Sequence, residues 1–194
     1  MSWRASLKAG LKAVRNGVDY VNNGHRYERA EKHLTAAYAK LRQERASPAI
    51  LENLARVCLW KGIAFNENLD EKNPLLRNDP AILEYHRGLH HIAKQPDVEA
   101  LKMSLYNSLA VAHHHRKAEL GRPAPSAPIP AISIRYYRMA RSLYDEKSKQ
   151  PVFNQLMAKI ENNSGSRVLR SKRLIGGRSL DLSTQFLTGN VIEV

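Results

Sequence analysis

The sequence predicts an all-α fold of antiparallel helical hairpins, followed by an extended basic tail. Three observations lead to this prediction. Apolar residues recur at helical spacing through most of residues 25–162, capping residues or prolines precede several of these stretches, and the helical period stops near Asn162. The 194 residues, 43% hydrophobic and 25% charged, suffice for one packed domain with a tail.

The segment 1–24 precedes the predicted helical domain and is basic and amphipathic. Its four cations recur every three or four residues, no acid precedes Asp19, and apolar residues occupy the adjacent side of the helix. This pattern is typical of mitochondrial targeting segments. A basic helix that docks on a partner or touches an anionic membrane surface would have the same pattern, and both interpretations stay open. The cations are Arg4, Lys8, Lys12 and Arg15.

The first two helices of the domain are predicted from apolar spacing and one capping residue. Residues 26–45 place apolar side chains at i, i+3, i+4 and i+7. Ser47 before Pro48 predicts the start of the second helix, which runs to about Asn66, because serine caps helices and the fixed φ of proline suits the first position. Cys58, the single cysteine, falls in an apolar run and is predicted to be a buried, unreactive side chain.

The later elements are predicted from the same signals. The tripeptide Pro-Ala-Ile occurs at 48–50, 80–82 and 130–132, and each copy predicts a helix start. The third helix is predicted to carry the apolar residues Ile82, Leu83, Tyr85, Leu89 and Ile92. The predicted elements are, in chain order, a loop over 67–78, a helix from Asp79-Pro80 to Gln95-Pro96, a helix over 98–119, a proline-rich connector over 122–130, a helix from Pro130-Ala131 and a short helix over 152–162.

Four predicted helical segments contain recurring sequence patterns of large and small residues. Residues 51–58 read LENLARVC and residues 106–113 read YNSLAVAH, while AILEYHRGL at 81–89 and AEKHLTAA at 30–37 share a second pattern. These patterns resemble the sequences of the two helices of tetratricopeptide repeats. The YNSL stretch is similar to the start of the first helix of pentatricopeptide repeats. The resemblance covers residues 28–147 and implies a short repeat array of stacked hairpins. The spacing departs from a 34- or 35-residue period.

The sequence contains no catalytic motif, so we expect neither an enzyme nor a cofactor. There is no phosphate-binding glycine loop, no nucleophile elbow and no HExxH motif. Glu84 and four other glutamates, Glu28, Glu31, Glu44 and Glu52, are expected to be single surface charges. The histidines at 86, 90 and 113–115 raise a metal hypothesis, but consecutive helical positions point about 100° apart and cannot converge, so no metal site is predicted.

The charge balance of the chain points to an acidic partner. Lysine and arginine number 31 against 18 acids, a net charge of +13. Tyr136 and Tyr137 beside Arg135, Arg138 and Arg141 suggest base stacking, with core tyrosines on a solvated basic helix as the alternative reading. The predicted partner- or nucleic-acid-binding residues are Arg135 and Arg138 on this helix, and Arg167, Arg170, Lys172, Arg173 and Arg178 in the extended basic tail, residues 163–194.

Three functions fit these features. The first is a non-catalytic accessory subunit of a large mitochondrial assembly, in the matrix or on the matrix face of the inner membrane, such as ATP synthase, a respiratory complex or the ribosome. The second is an RNA-binding helical-repeat protein, and the third is a basic adaptor or effector that binds a protein partner. No apolar run is long enough to span a membrane.

Overall fold

The computed structural model describes residues 24–68, 74–120, 129–144 and 151–163, together with residues 4, 5, 8, 9 and 12. The described residues are helical or lie in turns and short links, without a strand, which confirms the predicted all-α class for this part of the chain. The helices are α1 (Gly24–Leu41), α2 (Pro48–Asn66), α3 (Pro74–His91), α4 (Glu99–Leu120), α5 (Ala131–Ser142) and α6 (Pro151–Asn163).

The helices divide into two compact units. The first unit ends at Gln95 and contains α1, α2 and α3, and the second begins at Pro96 and contains α4, α5 and α6. In the first unit α2 packs against both α1 and α3, and in the second each helix packs against the other two. The predicted division at residues 24 and 162 stays a prediction, because its outer segments lie mostly outside the described residues.

The start of α2 has the predicted capping geometry. Ser47 is extended, with φ −140° and ψ 160°, and its side-chain oxygen accepts a hydrogen bond from the backbone N–H of Ile50 at 3.3 Å. Pro48 is the first helical residue, where its missing N–H leaves no intrahelical bond unmade. The first Pro-Ala-Ile tripeptide therefore starts a helix, as predicted.

The predicted start of α3 at Asp79-Pro80 is wrong. The helix begins at Pro74, and Pro80 lies inside it as the seventh residue. A proline in the second turn lacks a backbone N–H donor, so α3 forms without one of its backbone hydrogen bonds, while it packs against α2. The sequence offers the same pair of capping residue and proline at Asn73-Pro74, and Pro74 is the first residue of the helix. Pro130, in the third Pro-Ala-Ile tripeptide, occupies the N-cap position of α5.

Helix α2 is buried on almost every side because it lies against two neighbours. Trp60 and Leu59 are among its fully buried side chains, and Gly62 lets the buried ring of Tyr85 on α3 come close to the α2 backbone. A Cβ at position 62 would lie 2.7 Å from both Cδ1 and Cζ of that ring. The missing side chain at Gly62 therefore sets how closely α2 and α3 approach.

The buried face of α3 differs from the prediction at two positions. Leu83 is 52% exposed, whereas Glu84 is only 4% exposed. Ala81 and Tyr85 are fully buried and define the face that α3 turns toward α2. Position 83 lies about 200° around the helix from position 81, and position 84 lies about 60° from it. The helix therefore turns Leu83 outward and brings a carboxylate into the first unit.

The core of the second unit joins all three of its helices. Tyr137 of α5 is buried, and its hydroxyl donates to the backbone oxygen of Asn163 at 3.1 Å. The Asn163 amide in turn donates to Oδ1 of Asn107 on α4 at 3.2 Å. The buried core residues are Met103, Ala110, Tyr137, Ala140, Phe153, Leu156, Met157 and Ile160.

The structure describes five residues of the N-terminal basic segment. Residues 4, 5, 8, 9 and 12 are helical, and Arg4, Lys8 and Lys12 are exposed. The apolar residues predicted for the adjacent side, Trp3, Leu7, Leu11 and Val14, lie outside the described residues.

Candidate binding surface

An exposed row of arginines runs along α5. Arg135, Arg138 and Arg141 recur every third residue, and α5 contains no acidic residue. All three are exposed, and none forms an ion pair with an acid in the ranges that the structure describes. We call these three residues the arginine row. It contains the predicted binding residues Arg135 and Arg138, and Arg141 extends the row by one more turn.

The described ion pairs of other arginines contrast with this row. In the first unit, Arg56 pairs with Glu52 on the same helix, and Arg87 Nη1 lies 2.9 Å from Oε1 of Glu84. Like charges held close together repel one another, and an acidic partner would relieve that repulsion. The arginine row is therefore the strongest described candidate for contact with an acidic partner.

Three aromatic rings stack on one another where α4 meets α5. The Tyr136 ring stacks on His113, with centroids 5.5 Å apart and planes at 13°, and on Tyr106, at 6.2 Å and 20°. Tyr106 and His113 are seven residues, about 10.5 Å, apart along α4, so the Tyr136 ring lies between them. We call these rings, all half-buried, the aromatic column.

The two neighbouring tyrosines of α5 have different environments. Tyr137 is a core residue, and burial raises the pKa of its hydroxyl well above the ordinary value. Tyr136 is half-buried; burial raises the pKa of its hydroxyl, and the positive charge of Arg135 opposes that rise. The predicted stacking role therefore remains open for Tyr136, whereas Tyr137 fits the alternative reading of a core tyrosine.

The predicted basic residues of the tail cannot be added to this surface. Arg167, Arg170, Lys172, Arg173 and Arg178 lie outside the described residues. The described candidate surface is therefore restricted to α4 and α5.

The histidines do not assemble into a metal-binding group in the described ranges. His90 packs edge-on against His91, with ring centroids 6.3 Å apart, and His114 does the same with His115. No group of three or more His, Cys, Asp or Glu side chains suited to a metal ion occurs among the described residues. His113, one of the histidines that raised the metal hypothesis, belongs to the aromatic column.

The first unit contains an ionic cluster that the sequence analysis missed. Lys61 Nζ lies 3.0 Å from Oε1 of Glu84, and the two side chains are 11% and 6% exposed. Arg87 contacts the same oxygen, and Lys61 Nζ lies 5.9 Å from the centroid of the Tyr38 ring. The expectation that Glu84 is a surface charge is therefore wrong. We call Lys61, Glu84 and Arg87 the ionic cluster, in which Lys61 and Glu84 are buried and Arg87 is exposed.

The other polar groups near this cluster are held in their neutral forms. Burial and the negative charge of Glu84 raise the pKa of the Cys58 thiol well above its ordinary range, so the predicted unreactive cysteine agrees with the structure. The hydroxyl of Tyr38 and Nε2 of His91 form a hydrogen bond of 2.9 Å. The cluster joins α2 to α3, and these contacts fit a structural role.

Stability of the first unit is expected to fall below about pH 6.5. Burial lowers the pKa of His91, and the charges of His90 and Arg42 lower it further, while Glu84 acts in the opposite direction. In this range the unfolded chain binds a proton that the folded state excludes, so protonation favours unfolding. Burial also lowers the pKa of His86, which adds to the effect.

The urea midpoint of the first unit tests this expectation. We expect a lower midpoint at pH 5.5 than at pH 8, and a smaller difference in His91→Gln. His33→Gln removes a half-buried histidine from α1 of the same unit and serves as the control. A midpoint that rises as the pH falls would contradict the assignment.

Within the described residues, no helix has the combined length and apolar character that crossing a membrane requires. No protein-family model matches the chain, and comparison with curated proteins and with solved structures gives no match. The described part of the chain therefore defines an all-helical protein with a basic and aromatic surface on its second unit.

Proposed function

We propose that the chain is a non-catalytic accessory subunit of a large assembly, which docks through the basic face of its second unit and through its terminal segments. The observation that carries this proposal is the arginine row, which is exposed and lacks an ion pair with a described acid. Placing an acidic surface against the row would lower the repulsion among its charges. An acidic protein surface and nucleic acid both meet this requirement.

We further propose that the helices stack as antiparallel hairpins in a short repeat-like array. Tyr137 of α5 bonds to Asn163 of α6, and Tyr144, just after α5, bonds to Asn154 at 2.8 Å. Partners thus move backwards along α6 as positions advance along α5, which supports an antiparallel pair. The small residues Ala37 and Ala110 are buried, which agrees with the repeat-like sequence patterns of the helices, because small side chains let helix axes approach.

We place this assembly in the mitochondrion, in the matrix or on the matrix face of the inner membrane. The helical conformation at residues 4, 5, 8, 9 and 12, with Arg4, Lys8 and Lys12 exposed, supports a basic helical N-terminal segment. ATP synthase, a respiratory complex and the ribosome all fit this proposal. Fusion of residues 1–18 to a fluorescent reporter tests the compartment.

Density-gradient sedimentation of the tagged protein from a gentle organelle lysate tests the proposed function. We expect the wild-type chain to sediment in a large particle, and the double variant Arg135→Gln/Arg138→Gln to shift substantially toward the top of the gradient. Arg29→Gln/Arg45→Gln removes two exposed arginines from the first unit and is the matched control, which should stay in the particle.

Two results would count against the proposal. A wild-type chain that stays at the top of the gradient is not a stable subunit of a large particle. Equal release by both double variants would show that net charge, rather than the arginine row, holds the protein in place.

A second candidate function is an RNA-binding helical protein, and the aromatic column is the observation that favours it. Release of the protein from the particle by nuclease would support this second function.

A further inference from the structure

We propose that an acidic amphipathic helix of a partner protein docks on the outward face of α5. This inference rests on the proposed function, since it names the kind of segment that the basic face of the second unit would bind. An open groove runs along this face, and no other helix among the described residues contributes to its lining. We call it the outer groove. It is lined by Ala131, Ile134, Arg135, Arg138, Met139 and Ser142.

The outer groove lies on the side of α5 that faces away from the core of the second unit. Successive residues of an α-helix are about 100° apart, so the buried residues Ser133, Tyr137 and Ala140 fall within about 60° of one another. Arg135 and Arg138 lie on the opposite side of the helix, and both are exposed. Packing of the second unit therefore turns these two arginines outward.

The outer groove has a basic centre and apolar edges. Ile134 lies about 40° beyond Arg138 around the helix, and Met139 lies about 40° beyond Arg135 on the other side. Both apolar side chains are half-buried, and Ile132, which is 44% exposed, adjoins Met139. A complementary surface therefore presents carboxylates between two apolar rows.

The dimensions of the outer groove suit a helix of about three turns. Ala131 and Ser142 mark its ends and lie about 16.5 Å apart along the axis, while the two arginines lie about 4.5 Å apart. Two acids three or four residues apart on a partner helix would face both arginines, and apolar residues beside them would pack on the edges. The small residues at the two ends let the helix axes approach.

The composition of the outer groove favours a protein helix over nucleic acid or lipid. A phosphate backbone would leave the apolar edges without a partner, and none of the six described lining residues is aromatic, as base stacking requires. Helices that lie on membranes bury a continuous apolar face, whereas the arginines here lie between the apolar residues. Arginine and methionine are both enriched in protein–protein interfaces.

Fluorescence anisotropy of the purified full-length chain with a labelled, stapled helical peptide tests the inference. The peptide has about 14 residues and carries two glutamates, three residues apart, between two rows of leucine. Its matched control has glutamine in place of both glutamates. We expect the wild-type chain to bind the glutamate peptide about tenfold or more tightly than the glutamine peptide, because charged hydrogen bonds to guanidinium are the strong ones.

Variants of the arginines and of one apolar edge show where the peptide binds. Arg135→Gln/Arg138→Gln should weaken binding of the glutamate peptide about tenfold or more and abolish the preference for it, whereas Arg29→Gln/Arg45→Gln should preserve both. Met139→Gln should weaken binding about threefold or more, and Met139→Leu, which keeps an apolar side chain, should bind as the wild type does. Leu83→Gln removes an exposed apolar side chain from the first unit and is the control. Circular dichroism melts confirm that each variant is folded.

Four outcomes would overturn the inference. They are absence of binding by the glutamate peptide, equal affinity for the two peptides, equal weakening by the two arginine double variants, and unchanged affinity in a folded Met139→Gln variant. Tighter binding of oligouridylate, or of phosphatidylcholine vesicles containing cardiolipin, with the same dependence on Arg135 and Arg138 would also overturn it and would assign the groove to RNA or to a membrane.

The inference and the proposed function can fail separately. If the peptide does not bind but Arg135→Gln/Arg138→Gln still leaves the particle in sedimentation, the inference is wrong and the proposed function stands. If the peptide binds as expected but the wild-type chain stays at the top of the gradient, the docking surface stands and the large assembly is wrong.

Discussion

Replacing Glu84 by leucine is expected to destabilise the first unit by about 3–5 kcal/mol, because the change leaves the buried Lys61 ammonium without its carboxylate. Lys61 Nζ lies 3.0 Å from Glu84 Oε1, and only 11% of the lysine side chain is exposed. Urea unfolding followed by the fluorescence of buried Trp60, in a Trp3→Phe background, measures this loss. Glu28→Leu removes an exposed acid from α1 and should change stability by about 0.5 kcal/mol or less.

The double variant Lys61→Met/Glu84→Leu should recover most of this loss. Replacing both charges of a buried pair by apolar side chains of similar volume is often neutral or stabilising, because neither charge then has to be desolvated. Arg87 also loses its carboxylate, but its side chain is 48% exposed and water can solvate it. A double variant as unstable as Glu84→Leu would show that packing, rather than the unpaired lysine, causes the loss.

Gly62→Ala should destabilise the first unit by about 1–3 kcal/mol, although alanine is the better helix former by about 1 kcal/mol. The added methyl group would fall within contact distance of the buried Tyr85 ring and push α3 away from α2. Trp60 fluorescence during urea unfolding again reports the change.

Removal of the Tyr85 ring tests the mechanism of this second effect. In a Tyr85→Leu background, Gly62→Ala should cost much less, because the ring that the methyl group meets is absent. If Gly62→Ala stabilises the wild-type background, helix propensity outweighs the clash and the close approach at Gly62 is not a tight constraint.

Local sequence signals predicted the helices well because helices are local structures. Leu34 of α1 and Leu105 of α4 occupy apolar positions of the 3.6-residue period, and both are buried. The start of α3 could not be chosen in the same way, since Asn73-Pro74 and Asp79-Pro80 are equivalent local signals.

The candidate surface was predictable only in part. Arg135 and Arg138 could be found because they share one helix, whereas Tyr106 and Tyr136 are 30 positions apart and meet only when α4 packs on α5. The burial of Glu84 was missed for a similar reason. Its partner Lys61 lies on another helix, and an isolated carboxylate in a sequence is more often a surface charge.

The central position of α2 bears on how the chain folds during synthesis. Contacts in the first unit join each helix to the next in sequence, so the loops to be closed are short and their entropic cost is small. Because α2 buries its two sides against α1 and α3, it can complete its core only after His91 has left the ribosome. The first unit is therefore expected to fold cooperatively at that point, before α5 with its arginine row is translated.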